Sequence, residues 1–91
     1  MNVNLYVIYD RVAESVQGGV HCFPHDAVAV RFFRDVMDAP DTSLNKHPQD
    51  YDLLGIGQFD VSVPCVLPEV SRTILTGASI VAMRSDSGVS V

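Results

Sequence analysis

The residues of this sequence that most resemble a metal site are His21, Cys22 and His25. Thiolates and imidazoles are zinc ligands, and Cys65 or His47 could complete a set of four. However, His21 and Cys22 are adjacent, so on a strand their side chains point to opposite faces. The paired cysteine spacing that is typical of zinc sites is also missing. The sequence therefore predicts no metal site, and we interpret Cys22 as a core residue.

Catalytic groups are equally sparse. Cys65 with a histidine could serve as nucleophile and base, but no glycine-rich turn or helix start follows the cysteine to lower its pKa. We therefore interpret Cys65 as a buried thiol. The carboxylates of residues 35–60 have no partner base, and Gly-Ile-Gly at 55–57 lacks the rest of a dinucleotide fingerprint. We predict that the protein is not an enzyme and needs no cofactor.

Five residues could instead contact a single-stranded nucleic acid. They are Arg11, Arg31, Arg34, Tyr6 and Tyr9. Arginines bind phosphates, and tyrosines stack on bases if they are exposed. The alternative is that the tyrosines are half buried and that Arg31 and Arg34 form ion pairs with the acids four residues further along a helix, Asp35 and Asp38.

Composition weighs against nucleic-acid binding but does not exclude it. The chain has 91 residues, enough for one domain with a modest core, and a net charge of −5. Nucleic-acid binders usually carry an excess of Lys and Arg, so binding here requires a local basic patch. No apolar run reaches the ~18 residues of a membrane span. The N-terminus does not resemble a secretory signal, and we expect a cytosolic protein with free thiols.

One segment is strongly helical and would position two of the arginines. Residues 23–40 carry apolar side chains at three- and four-residue spacing, from Ala29 to Met37, which forms one buried face. His25 or Asp26 is placed to cap the first turn, and Asp26 also complements the helix dipole. Pro40 ends the helix.

Alternating β-branched and aromatic residues predict strands over residues 3–9, 16–23, 51–60 and 61–67. The last of these is an edge strand because of Pro64. We predict a loop at residues 41–50 and a disordered tail at residues 85–91. Residues 73–75 and 80–83 could form two short strands or an arm that packs on a partner. The predicted fold class is α+β: one domain over residues 1–84, with an antiparallel sheet of four to five strands and one helix packed on one face, in the order β-β-α-β-β.

The predicted sheet leaves surface to cover. An edge strand that contains proline and an apolar segment at 73–83 predict a homo-oligomer. We expect a dimer that forms through the sheet edges or by exchange of residues 70–84.

Three stretches in this order resemble a known family. In the stretch 5–15, a predicted strand ends with Tyr9-Asp10. In the stretch 25–37, a predicted helix begins with Asp26-Ala27. The stretch 50–60 contains Asp-Tyr-x-Leu followed by Gly-x-Phe-Asp. The chain resembles the small nonstructural protein of gokushovirus-type microviruses, which are single-stranded DNA phages.

The resemblance implies a phage protein of the host cytoplasm. It implies single-stranded DNA binding, or a role in the switch from duplex replication to single-stranded genome synthesis and packaging, and it brings no catalytic residues. The alternative is a protein-interaction module that engages the phage capsid or replication apparatus without nucleic-acid contact. In neither case do we expect the protein to bind a membrane.

Overall fold

The computed structural model describes residues 2–89, with side chains described for residues 2–84. Within that range the elements are β1 (Asn2–Asp10), β2 (Ser15–Phe23), α1 (Asp26–Asp38), α2 (Ser43–Lys46), a 3₁₀ turn (Pro48–Asp50), β3 (Tyr51–Asp60), β4 (Cys65–Thr76) and α3 (Gly77–Val89). The strands pair antiparallel in one sheet, in the order β2-β1-β3-β4.

The predicted fold class, with one helix and the order β-β-α-β-β, is wrong. A third helix, α3, follows β4, and α2 and the 3₁₀ turn lie between α1 and β3. The predicted loop at 41–50 therefore contains both of these short elements. Residues 61–64 form a turn rather than a strand, and β4 extends to Thr76. Helix α3 extends to Val89, into the segment 85–91 that was predicted to be disordered, and residues 90 and 91 lie outside the described residues.

The start of α3 explains why its segment was mistaken for strands. Thr76 directly precedes the helix, and its hydroxyl accepts a hydrogen bond of 3.1 Å from the amide N–H of Ser79, as an N-cap residue does. Gly77 lies against the 3₁₀ turn, and a Cβ atom there would come within 1.7 Å of the Pro48 carbonyl oxygen. This close approach requires glycine. The dipeptide Thr-Gly therefore marks a helix start rather than a hairpin turn.

The core lies between one face of the sheet and the helices. Alternation in β1 sends Tyr6 and Ile8 to this face, and Ile8 pairs with Leu53 of β3. The helices contribute the buried residues Ala29, Phe33, Met37, Leu44 and Ile80 to the same cluster. Because one cluster contains residues of α1, α2 and α3, all three helices cover the same face of the sheet.

A polar cluster at the start of α1 connects three elements. The Tyr6 hydroxyl donates to Asp26 Oδ1 at 2.5 Å, and Asn4 donates to the Tyr6 oxygen at 3.1 Å. Arg72 of β4 donates to both Asp26 oxygens, at 3.2 and 3.3 Å. His25 is the N-cap residue but makes no side-chain cap hydrogen bond. Asp26 therefore fixes the start of α1 against β1 and β4.

The same contacts shift the pKa values of the two acids in opposite directions. Hydrogen bonds from Arg72 and Tyr6 hold the pKa of the Asp26 carboxyl below its ordinary value of 3.8. Burial, followed by the hydrogen bond to Asp26, raises the pKa of Tyr6 above its ordinary value of 10.0. Both shifts favour the charge state in which a neutral phenol donates to a carboxylate.

We expect Asp26→Asn to destabilise the protein at neutral pH. The folded-state pKa of Asp26 lies below the unfolded value, so its stabilising effect is present above pH 3.8 and is lost as the pH falls through the folded-state pKa. Urea unfolding of the native and variant proteins should therefore show a difference that is largest near neutrality and that shrinks in acid. A difference for Asp26→Asn that grows in acid would contradict this account.

We also expect Tyr6→Phe, which removes one buried hydrogen-bond donor, to lower the free energy of unfolding by about 1–2 kcal/mol in the same urea measurement.

Candidate nucleic-acid interface

A groove runs between α1 and α3. Its volume is about 480 Å³, and it is lined by Arg34, Asp38, Ile80, Met83 and Arg84. Ile80 is 3% exposed and belongs to the core, whereas Met83 is 46% exposed and forms the accessible part of the floor. The groove thus combines two guanidinium groups and one carboxylate with an apolar surface.

Helical spacing brings these charges together. Arg34 and Asp38 lie one turn apart on α1, and Ile80 and Arg84 lie one turn apart on α3. The Ile80 side chain anchors α3 in the core, which leaves Arg84 facing α1. There Arg84 forms an ion pair with Asp38.

This ion pair is a surface interaction. The Arg84 and Asp38 side chains are 47% and 65% exposed. Exposed pairs of this kind contribute about 0–1 kcal/mol to stability. The free energy lost when Arg84 leaves Asp38 to bind another anion would therefore be small. The groove can thus present Arg84 to a phosphate.

Arg31 and Arg34 do not form the ion pairs that were considered for them. Among the side chains of residues 2–84, salt bridges join Arg11 to Asp52, Arg72 to Asp26 and Arg84 to Asp38. Arg31 and Arg34 are both exposed on α1. Asp38, the expected partner of Arg34, is bound by Arg84 instead.

The other residues predicted to bind nucleic acid lie elsewhere. Arg11 donates to the Gln49 carbonyl oxygen and pairs with Asp52 at 3.3 Å. These contacts connect the turn between β1 and β2 to the 3₁₀ turn and the start of β3. Tyr6 is buried beneath α1, so its ring is not accessible to a base. Tyr9 is partly exposed but points to the sheet face opposite Tyr6. The five predicted residues do not form one site.

Arg84 and Met83 were missed by sequence reasoning. They lie in the segment that was predicted to contain short strands. The signal that could have identified them is the helical spacing of Ile80, Met83 and Arg84, which places an anchor and two groove residues on one side of a helix.

Aromatic side chains form a separate cluster on the β2 side of α1. The ring centroids of His21 and Phe32 are 4.6 Å apart, and those of Phe23 and Phe32 are 5.2 Å apart. Phe32 also lines a second cleft of about 370 Å³ between β2, α1 and α2. The partly exposed aromatics and the exposed arginines therefore occupy different flanks of α1.

The cysteines are not core residues, contrary to our interpretation of the sequence. Cys22 and Cys65 are both free and exposed, because each lies on an outer strand of the sheet. Among the described residues, no group of three or more His, Cys, Asp or Glu side chains is placed to hold a metal ion. No helix in the described part of the chain is long and apolar enough to span a membrane.

Comparison with known proteins identifies relatives of this chain. A family model described as "Phage ORF5 protein" matches residues 3–80. "Protein ORF5" of Chlamydia phage 1 is 41% identical over 64 residues, which is 66% of this chain and 66% of the relative. No solved structure matches. These matches confirm the resemblance to a small protein of gokushovirus-type phages.

We expect Ile80→Ala to destabilise the protein by about 2–4 kcal/mol, because it removes a buried anchor and leaves a cavity. Met83→Ala, one turn further along α3, should cost less than about 1 kcal/mol, since its side chain is half exposed. Chemical unfolding of the two variants measures the difference. Equal costs would contradict the packing of α3 on the sheet.

Proposed function

Because the chain belongs to the Phage ORF5 protein family, we propose that it is a non-enzymatic accessory protein of a phage that binds single-stranded DNA. It would act in the host cytoplasm, in the switch from duplex replication to single-stranded genome synthesis and packaging. The observation that supports binding is the α1–α3 groove, which places Arg34 and Arg84 beside the exposed Met83.

The groove suits a single strand better than a duplex. Its guanidinium groups can contact two phosphates, and Arg31 offers a third contact beside it on α1. The thioether and methyl of Met83 form a soft apolar surface against which a base can lie. Backbone charge and apolar contact do not distinguish one base from another, so binding in this groove would tolerate many sequences.

Charge sets the expected strength of binding. The protein has a net charge of −5, and Asp35 and Asp38 lie on the same helix as Arg31 and Arg34. Each protomer should therefore bind weakly and only at low ionic strength. For three phosphate contacts with a single strand, the slope of log affinity against log salt should be about −2. Assembly into a homo-oligomer would raise the overall affinity by multivalency.

We expect Arg34→Ala to weaken the binding of a fluorescent single-stranded oligonucleotide by about fivefold and to reduce the magnitude of the salt slope by about 0.7. Lys46→Ala is the matched control, since it removes the same charge from an exposed position outside the groove and should change affinity by less than about twofold. Asp38→Asn should tighten binding because it frees Arg84. Fluorescence anisotropy at low and moderate salt measures all three.

Two results would refute this proposal. One is the absence of binding by the native protein at low salt, where electrostatic attraction is strongest. The other is an equal loss of affinity in Arg34→Ala and Lys46→Ala, which would show that only net charge matters.

A second candidate function is supported by a different surface. The hairpin between β3 and β4 carries four exposed valines, which we call the valine hairpin: Val61, Val63, Val66 and Val70. Exposed apolar patches on small proteins are often interaction sites. The chain could therefore engage the phage capsid or replication proteins without contacting nucleic acid.

Co-purification from infected cells separates the two candidates. If the valine hairpin binds a phage protein, the native chain should retain the replication protein or procapsids after nuclease treatment. Val63→Ser with Val70→Ser should lose them because the apolar contact is removed, whereas Arg34→Ala should retain them. Recovery of the native chain without either partner would count against this candidate.

A further inference from the structure

The second cleft, between β2, α1 and α2, has the lining of a binding site for a small ligand group. Its volume is about 370 Å³, near the lower end of the ~300–1,000 Å³ that ligand pockets span. His21 of β2 and Phe32 of α1 form an aromatic wall, with ring centroids 4.6 Å apart. Aliphatic side chains line the rest of the apolar surface: Ile8, Val36 and Leu44.

An irregularity in β2 gives this cleft an open side. Tyr6 of β1 pairs with His21, whereas Ile8, two residues further along β1, pairs with Gln17, four residues back along β2. The extra residues of β2 form a bulge. Gly18 in this bulge lines the cleft and has a φ of 81°. A Cβ atom at Gly18 would have no neighbour within 4 Å, so the bulge borders open space.

Polar side chains at the cleft are available to a ligand. Within residues 2–84, the amide of Gln17, the ring of His21 and the hydroxyl of Ser43 make no side-chain hydrogen bond. The Thr42 hydroxyl, by contrast, is engaged, since it accepts from the Asn45 amide at 3.1 Å as the N-cap of α2. An amide and a hydroxyl each offer a donor and an acceptor, which suits a group that carries both.

The charge of the lining indicates which group this is. Among the described residues that line the second cleft there is no Asp, Glu, Lys or Arg, whereas the α1–α3 groove contains two arginines and an aspartate. A phosphate would therefore find no cationic partner in the second cleft. A neutral, flat heterocycle with donors and acceptors on its edge matches the aromatic wall and the free polar groups together.

We propose that the second cleft binds one nucleobase, supplied by a single strand of DNA. The base stacks on the wall formed by Phe32 and His21, as bases do on aromatic side chains of single-strand binders. Its polar edge then faces Gln17 and Ser43. This inference rests on the proposed function, because the same strand would place its phosphates in the α1–α3 groove.

One strand can reach both places. The groove and the second cleft lie on different flanks of α1, and helical spacing places the exposed Arg31 between Arg34 on one flank and Phe32 on the other. An α-helix with its side chains is about 10–12 Å across. Stacked nucleotides of one strand are spaced by about 3.4 Å, so a few nucleotides span the outer surface of α1.

Free nucleosides test the second cleft separately from the groove, since they carry no phosphate. Thymidine and deoxyadenosine should be titrated into the isotope-labelled native protein and followed by the amide resonances in NMR spectra. We expect shifts in residues 17–21, 32–36 and 42–44, and none in residues 77–84. Such shifts without any binding of an oligonucleotide would refute the proposed DNA binding while supporting a nucleobase site.

Two glutamines supply matched variants. Gln17→Ala removes a polar group of the second cleft and should weaken nucleoside binding by about threefold. Gln49→Ala makes the same change at another exposed position that lines neither the cleft nor the groove, and it should leave the affinity unchanged. Both side chains are exposed, so circular dichroism should show a native fold in both variants.

The aromatic wall is tested with an abasic oligonucleotide, which keeps the phosphates and lacks the bases. The native protein should bind it about tenfold more weakly than the matched thymidine oligonucleotide. Phe32→Leu keeps an apolar side chain but removes the ring, so this difference should shrink severalfold. Arg34→Ala should weaken the binding of both oligonucleotides and leave their ratio unchanged, because it acts on phosphate contacts.

Any of three results would overturn the proposal. One is the absence of shifts in the residues of the second cleft with both nucleosides, which would leave the cleft to an apolar side chain of a protein partner. Another is an equal effect of Gln17→Ala and Gln49→Ala. The third is an unchanged preference of Phe32→Leu for the thymidine oligonucleotide over the abasic one.

Discussion

The Asp26 carboxylate is the point at which the sheet and the main helix are held together. It accepts from Tyr6 of β1 and from Arg72 of β4 while it occupies the first turn of α1. This contact fixes where α1 begins on the sheet. The regular spacing of the helix then determines that Phe33 and Met37 enter the core and that Arg31 and Arg34 remain outside. This hydrogen-bonded cluster therefore helps to position α1, which contributes Arg34 and Asp38 to the candidate site.

Local pattern was sufficient for four elements in the first two thirds of the chain. The predicted ranges for β1, β2, α1 and β3 agree with the structure, because alternation and helical spacing act over neighbouring residues. The prediction missed α2 and the 3₁₀ turn within residues 41–50, and it was wrong after residue 60, where the physical determinants are contacts between distant segments. The close approach of Gly77 to Pro48 is one such contact, and the burial of Ile80 in the core cluster is another.

The candidate site also depends partly on local pattern and partly on contacts between distant segments. The exposed arginines of α1 follow from the sequence, since a helix with one apolar face must turn its charged residues outward. Arg11 and Tyr6 could not be assigned correctly in this way, because their partners, Gln49 and Asp26, are far away in the chain. Arg84 was missed because its element was misidentified. Residue type therefore suggested the chemistry, while tertiary contacts decided which residues were free to perform it.

The two sides of the sheet have different physical character. The helix side carries the charged α1–α3 groove, whereas the opposite side of β1 carries the apolar residues Leu5 and Val7. Amide hydrogen exchange of the native protein, with and without single-stranded DNA, tests the central claim that the groove is the binding site. The account predicts slower exchange in residues 31–38 and 77–84, and unchanged exchange in β1. No change in either helix, or protection confined to the strands, would contradict it.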